Sequence, residues 1–123
     1  MGPKKFSISE RIKSFKYAFN GLRILIQEEH NARIHLFIAI IIIITGFTFS
    51  ISNLEWIAVI FAIGFVITSE LLNTAIEQIA NFISPEKHES IKRIKDISAA
   101  AVLISVISAV FIGFIIFWPK IFS

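Results

Sequence analysis

Three residues in this chain are spaced to work together: Glu70, Asn73 and Glu77, at i, i+3 and i+7 within Glu70-Leu71-Leu72-Asn73-Thr74-Ala75-Ile76-Glu77. At ~100° per residue they share one face of a helix, with Thr74 beside them and Leu71, Leu72, Ala75 and Ile76 largely elsewhere. The stretch closes a long apolar run, and an ionisable side chain beside hydrocarbon is costly, so the stripe reads as a site that needs charged partners. Clustered carboxylates near Lys and Arg suit a divalent cation carrying a nucleotide, because Mg²⁺ takes oxygen ligands, phosphate oxygens among them. Glu77 with Glu28 or Glu29 are the candidate ligands. Phosphoryl transfer also needs a cation to clamp the phosphate charge and a base for the attacking hydroxyl. Glu70 lies two turns deeper than Glu77, where a base could meet the hydroxyl of a lipid headgroup while the phosphates stay in water with Lys95. That spacing suits a lipid kinase.

The same residues have plainer readings. Glu70 and Glu77 could pair with Arg33 or Lys95 for assembly alone, and Asn73 could be interhelical glue. Lys95-Asp96 could be an exposed ion pair of little energetic weight. His30, His35 and His88 show no metal-ligand spacing with one another. A small oligomeric transporter using Glu70 as a proton or cation site is the alternative from another functional class.

Composition narrows the setting. A chain of 123 residues that is 55% hydrophobic, with a mean hydropathy of +0.77, is too apolar for a soluble domain and reads as one integral-membrane domain over residues 1–123. It has no cysteine, which excludes disulfides, thiolate metal sites and cysteine nucleophiles. The N-terminal MGPKKFSISERIKSF has neither the apolar core nor the cleavage site of a signal peptide. Its five glycines are scattered, without GxxxxGK[ST] or GxGxxG, so an ATP site here must be unconventional. Nothing in the charge pattern calls for a nucleic-acid partner.

The elements that must position the stripe follow from periodicity, and they give an all-α membrane protein with an amphipathic surface helix and three spans. After a short basic tail, Ser7-Ile8-Ser9-Glu10 fits a capping box that opens a helix over about 7–30. Ile8, Ile12, Phe15, Phe19, Leu22 and Ile26 recur at steps of four and three, with Lys13, Lys16, Asn20, Arg23 and Gln27 on another face, so this helix is expected in the headgroup layer. Spans are expected over about 34–51, 55–82 and 97–118, with Trp56 as an interfacial anchor and Glu86 to Asp96 as a charged loop or helix start. Ser98, Ala101, Ser105, Ser108 and Ile112 form a mostly small-residue packing face on the last span. Of 12 Lys and Arg, seven precede the first span, four lie between the second and third, and only Lys120 lies on the other side. This asymmetry expects the N-terminus, the end of span two and the charged loop at the cytoplasmic face. Three spans cannot easily enclose a nucleotide and a lipid, which argues for an oligomer with sites between subunits.

Taken together, ELLNTAIE, the Gly21-Leu22-Arg23 of the surface helix, the acidic residue before span one, the Glu86-Lys87-His88 loop and Lys95-Asp96 opening a small-residue span resemble the small bacterial integral-membrane diacylglycerol kinases and their relatives, the undecaprenol kinases. The resemblance covers nearly the whole chain. It implies a multi-pass homotrimer of the bacterial cytoplasmic membrane, with active sites shared between subunits, that uses ATP and Mg²⁺ to phosphorylate a lipid alcohol. It further implies Glu70 as general base with Asn73 as its polar partner, and Glu29 and Glu77 as metal ligands. Tyr17, Glu29, Glu77, Glu86, His88, Lys95 and Asp96 would face the nucleotide, and Arg11, Lys13, Arg33 and Glu70 the lipid. Asn81 stands where the family often has Asp. The Glu28-Glu29 doublet allows two registers, of which the Gly21-Leu22-Arg23 spacing favours Glu29. Asn31-Ala32-Arg33-Ile34-His35 and the Phe117-Trp118-Pro119-Lys120 ending look more like the undecaprenol-kinase branch, and diacylglycerol stays open as the acceptor.

Overall fold

The computed structural model describes residues 5–86 and 88–123; Lys4, Lys87 and the first residues of the basic tail lie outside them. Four helices follow one another: α1 (Ile8–Glu28), α2 (His30–Thr48), α3 (Asn53–Ile83) and α4 (Glu89–Ile121). The last three are each long and apolar enough to cross a membrane.

Only one residue separates α1 from α2. Glu29, at φ −107° and ψ 109°, leaves the helical region for a single step, its N–H bonding to the Leu25 carbonyl and its carbonyl accepting from Arg33 N–H. The expected 7–30 helix therefore stops two residues early, and the span helix starts four residues before Ile34. The opening box is only half made, since Ser7 Oγ accepts from the Glu10 N–H but the reciprocal bond is not formed. A complete box stands instead at Ser52 and Glu55, which opens α3. Of the α1 apolar stripe, Ile8, Ile12, Phe15, Phe19 and Ile26 are exposed, and the buried residue is Leu25.

The turn from α2 to α3 is a Schellman closure: Ile51 N–H bonds the Gly46 carbonyl and Ser50 N–H bonds that of Phe47. Ser50 takes the left-handed conformation, φ 49°, where glycine is usual. Gly46 is needed for a different reason. A Cβ there would lie 2.7 Å from Trp56 Cη2 and 3.2 Å from Ile51 Cδ1, because the indole folds back over α2. Trp56, expected as an interfacial anchor, is thus half-buried against Gly46 and Phe47, with ring centroids of Trp56 and Phe47 4.8 Å apart.

The main packing seam joins α3 and α4. Ser98 and Ser105 are buried on it, as expected, but Ala101 is exposed and Val102 takes its place. Both faces step by threes and fours; the seam at 98, 102, 105, 109, 112 and 116 takes the four-residue step first, which turns it towards Val102 and leaves Ala101 outside, while Ser108 stays half-buried at its margin. The stretch expected as a charged loop or helix start is mostly a helix start, since α4 begins at Glu89 with His88 as its cap. The far ends of α3 and α4 are tied by Lys120 Nζ to Glu55, at 2.6 Å.

Helix lengths set depth. At ~1.5 Å per residue, Glu70 lies about 21 Å along α3 from Trp56 and Glu77 about 32 Å, against a hydrocarbon core of about 30 Å.

Candidate functional site

Glu70 is the one buried ionisable residue among the described residues, 3% exposed, one turn beyond Val66 and Ile67 on α3. Beside these two residues runs an apolar groove of about 610 Å³ between α2, α3 and α4, lined from His35 at one end to Trp118 and Phe122 at the other. His35 Nε2 stands 3.2 Å from Glu70 Oε1. The distance is that of an ion pair, but no hydrogen bond is formed, so Oε1 remains a buried acceptor without one. A second buried polar atom shares that condition: Thr74 Oγ1, one turn further along α3. Hydroxyls at Thr45, Thr48 and Ser108 satisfy themselves on the carbonyl four residues back. Thr74 does not use that option. Two orphaned polar atoms on one stripe are what an incomplete site leaves, because such atoms are costly unless something completes them.

The stripe's other acid is more open. Glu77 is half-buried, as is Glu29 at the α1–α2 elbow, and both act electrostatically on Glu70. Neither is in an ion pair among the described residues, whereas Glu28 is exposed and accepts from Gln78 Nε2 at 3.3 Å. No group of three or more acidic or histidine side chains gathers in one chain among the described residues. Two carboxylates and phosphate oxygens still make a hard-oxygen donor set of the kind Mg²⁺ takes.

Asn73 faces α4. Its Oδ1 accepts from Ser98 Oγ at 2.6 Å, so the interhelical reading describes that oxygen, and no bond from Asn73 to Glu70 is recorded. Lys95 is half-buried and donates to Asn81 Oδ1 at 2.6 Å, while Asp96 pairs with Lys92 at 2.7 Å. The adjacent Lys95 and Asp96 therefore do not pair with each other; successive helical residues point ~100° apart, and each finds a partner on its own side. Asn81 serves as the acceptor for Lys95. Glu86 is exposed, and His88 caps α4 through Nδ1, which accepts from Ser90 N–H at 3.1 Å. Tyr17, Arg11 and Lys13 are exposed on α1, and Arg33 on α2.

Sequence reasoning gives His35 and Thr74 no role at the site. A lone histidine has no spacing that marks it, and its partner lies on another helix. Thr74 was within reach, since it flanks Glu70 at i+4.

A buried acid beside an apolar groove, with a histidine against it and half-buried carboxylates acting on it, on helices long enough to span a bilayer, defines a membrane protein with a site for polar chemistry. The family of prokaryotic diacylglycerol kinases matches residues 16–117. An undecaprenol kinase of Bacillus subtilis is 36% identical over 109 residues, 89% of each chain. A diacylglycerol kinase of Synechocystis is 36% identical over 114 residues, 89% of this chain and 63% of that one. A diacylglycerol kinase of Escherichia coli is 31% identical over 107 residues, 87% of this chain and 88% of that one. The chain belongs to the prokaryotic diacylglycerol kinase family: it is a lipid kinase of a bacterial membrane.

Proposed function

We propose that this chain transfers the γ-phosphate of ATP to the hydroxyl of a membrane lipid alcohol, undecaprenol or diacylglycerol, at the cytoplasmic face. The observation that carries the reading is Glu70, buried at 3% exposure beside an apolar groove with half-buried Glu29 and Glu77 nearby. A base placed there meets a hydroxyl delivered from the lipid side and is shielded from bulk water. The hydroxyl oxygen forms a bond to the γ-phosphorus, the bond from that phosphorus to the β–γ bridging oxygen breaks, ADP leaves, and the hydroxyl proton passes to the Glu70 carboxylate. Glu29 and Glu77 hold Mg²⁺, which when bound neutralises phosphate charge. Lys95, exchanging Asn81 for a phosphate oxygen, adds a second cation. Asp96, Glu86, His88 and Tyr17 border the nucleotide, and Arg11, Lys13 and Arg33 the lipid headgroup. Asn73 keeps the stripe in register with α4 through Ser98.

A homotrimer with shared sites fits the same observations. The two metal-holding carboxylates lack a third ligand within one chain among the described residues, and the apolar stripe of α1 is left exposed. Resemblance to an undecaprenol kinase along 89% of both chains makes undecaprenol the first acceptor to test, with diacylglycerol beside it. No observation favours the transporter reading. The test is ATP turnover by purified protein with and without each alcohol; stimulation by at least one is expected, and turnover indifferent to both would end the proposal.

A further inference from the structure

Glu70 must do more than be buried: its carboxylate has to be aimed. The terminal torsion of a glutamate is broad, so a carboxylate with no hydrogen-bond donor samples many orientations. Among the described residues no side chain or backbone group donates a hydrogen bond to Glu70 Oε1. The polar atom within ion-pair range is His35 Nε2, 3.2 Å from Oε1. His35 belongs to α2, is half-buried, and forms one end of the apolar groove. It is therefore a polar residue that both lines the groove and stands against the buried acid.

We propose that His35 is a positioning residue for Glu70: its Nε2–H holds Oε1, which leaves Oε2 to face the hydroxyl of the lipid alcohol. The proposal rests on the reading of Glu70 as base. The contact requires the proton on Nε2, and a small turn of the imidazole completes the hydrogen bond, as happens when catalytic contacts tighten on substrate binding. Arg33, two residues earlier on α2, points ~200° away around the helix and is exposed, so it does not substitute. Glu29 and Glu77 act on Glu70 as negative charges and cannot donate. A histidine suits the place because it supplies one directed donor on a rigid ring, where a lysine would bring a full charge to the edge of the hydrocarbon.

A strap between α2 and α3 with no part in the chemistry would put the same two atoms together. The two roles separate by readout. Glutamine at this position can present its amide nitrogen near the place of Nε2, whereas asparagine reaches only as far as Nδ1. The experiment compares His35→Gln, His35→Asn and His35→Leu with Glu70→Gln in detergent micelles, measuring kcat, KM for Mg-ATP and for the lipid alcohol, and thermal stability. His35→Leu is expected to lower kcat about 10- to 100-fold, the range seen when an orienting partner of a functional group is removed, with KM for Mg-ATP unchanged. His35→Gln regains most of that loss and His35→Asn does not. Adding His35→Leu to Glu70→Gln lowers activity no further, because the histidine acts through the acid. An unaltered kcat in His35→Leu, or equal activities of the Gln and Asn variants, overturns the proposal while Glu70→Gln stays inactive. An active Glu70→Gln instead overturns the reading of the base itself. If His35→Leu does not fold, the Gln and Asn pair decides.

Discussion

Glu70 and Glu77 sit seven residues apart on one continuous helix, yet the chain gives them different surroundings, one buried and one half-buried. Their roles should divide accordingly. Glu70→Gln is expected to lower turnover by about 10²- to 10⁴-fold, the usual worth of a positioned base, with nucleotide affinity largely kept. Glu77→Gln should raise the Mg²⁺ concentration needed for half-maximal rate and weaken Mg-ATP binding. Steady-state kinetics over a Mg²⁺ titration checks both, and equal effects of the two substitutions on turnover and affinity would refute the division. The stripe was legible because helical periodicity alone puts positions 70, 73 and 77 on one face. What that face meets was not legible. Asn73 reads equally well as a partner of Glu70 or of another helix, and only the α3–α4 seam turns it to Ser98. The assignment of Lys95 to Asn81 and Asp96 to Lys92 depends on the helix extending back to Glu89, which the run of charges there conceals.

At the scale of elements, the three spans were readable from hydropathy, and their ends were less so. Ser52-Asn53-Leu54-Glu55 carries the full box, and Ser7-Ile8-Ser9-Glu10 half of one; the two strings share the same S-x-x-E pattern, and the difference lies in side-chain geometry. Glu29 as a one-residue elbow has no signature at all, since neither glycine nor proline marks it. The α2–α3 turn carries a correctable cost. A left-handed L-residue costs roughly 1–2 kcal/mol, part of which glycine gives back through its freedom in the unfolded chain, so Ser50→Gly should stabilise the fold by about 1 kcal/mol. Gly46→Ala at the same turn should destabilise by about 1–3 kcal/mol, because the indole of Trp56 has to move. Thermal unfolding in detergent, followed by tryptophan fluorescence, measures both.

For the whole molecule, α1 decides how one chain meets its surroundings. Its sequence period announced an amphipathic helix, and the single chain leaves that stripe uncovered, so lipid or a neighbouring copy must cover it. The absence of cysteine makes the point measurable. In vesicles, Phe15→Cys should react slowly with a water-soluble thiol reagent and Lys13→Cys rapidly; equal rates would show that α1 does not lie on the bilayer by its apolar face. The opposite end of the molecule has a quieter property. Lys120 and Glu55 are a mutually cancelling couple between the last turn of α4 and the first turn of α3. Moving one elementary charge through a membrane potential involves about 2.3 kcal/mol per 100 mV, whereas a neutral couple moves at no net electrical work. The end of the molecule that carries this couple is in this sense electrically silent towards a membrane potential, whereas the cations gathered at the other end are not.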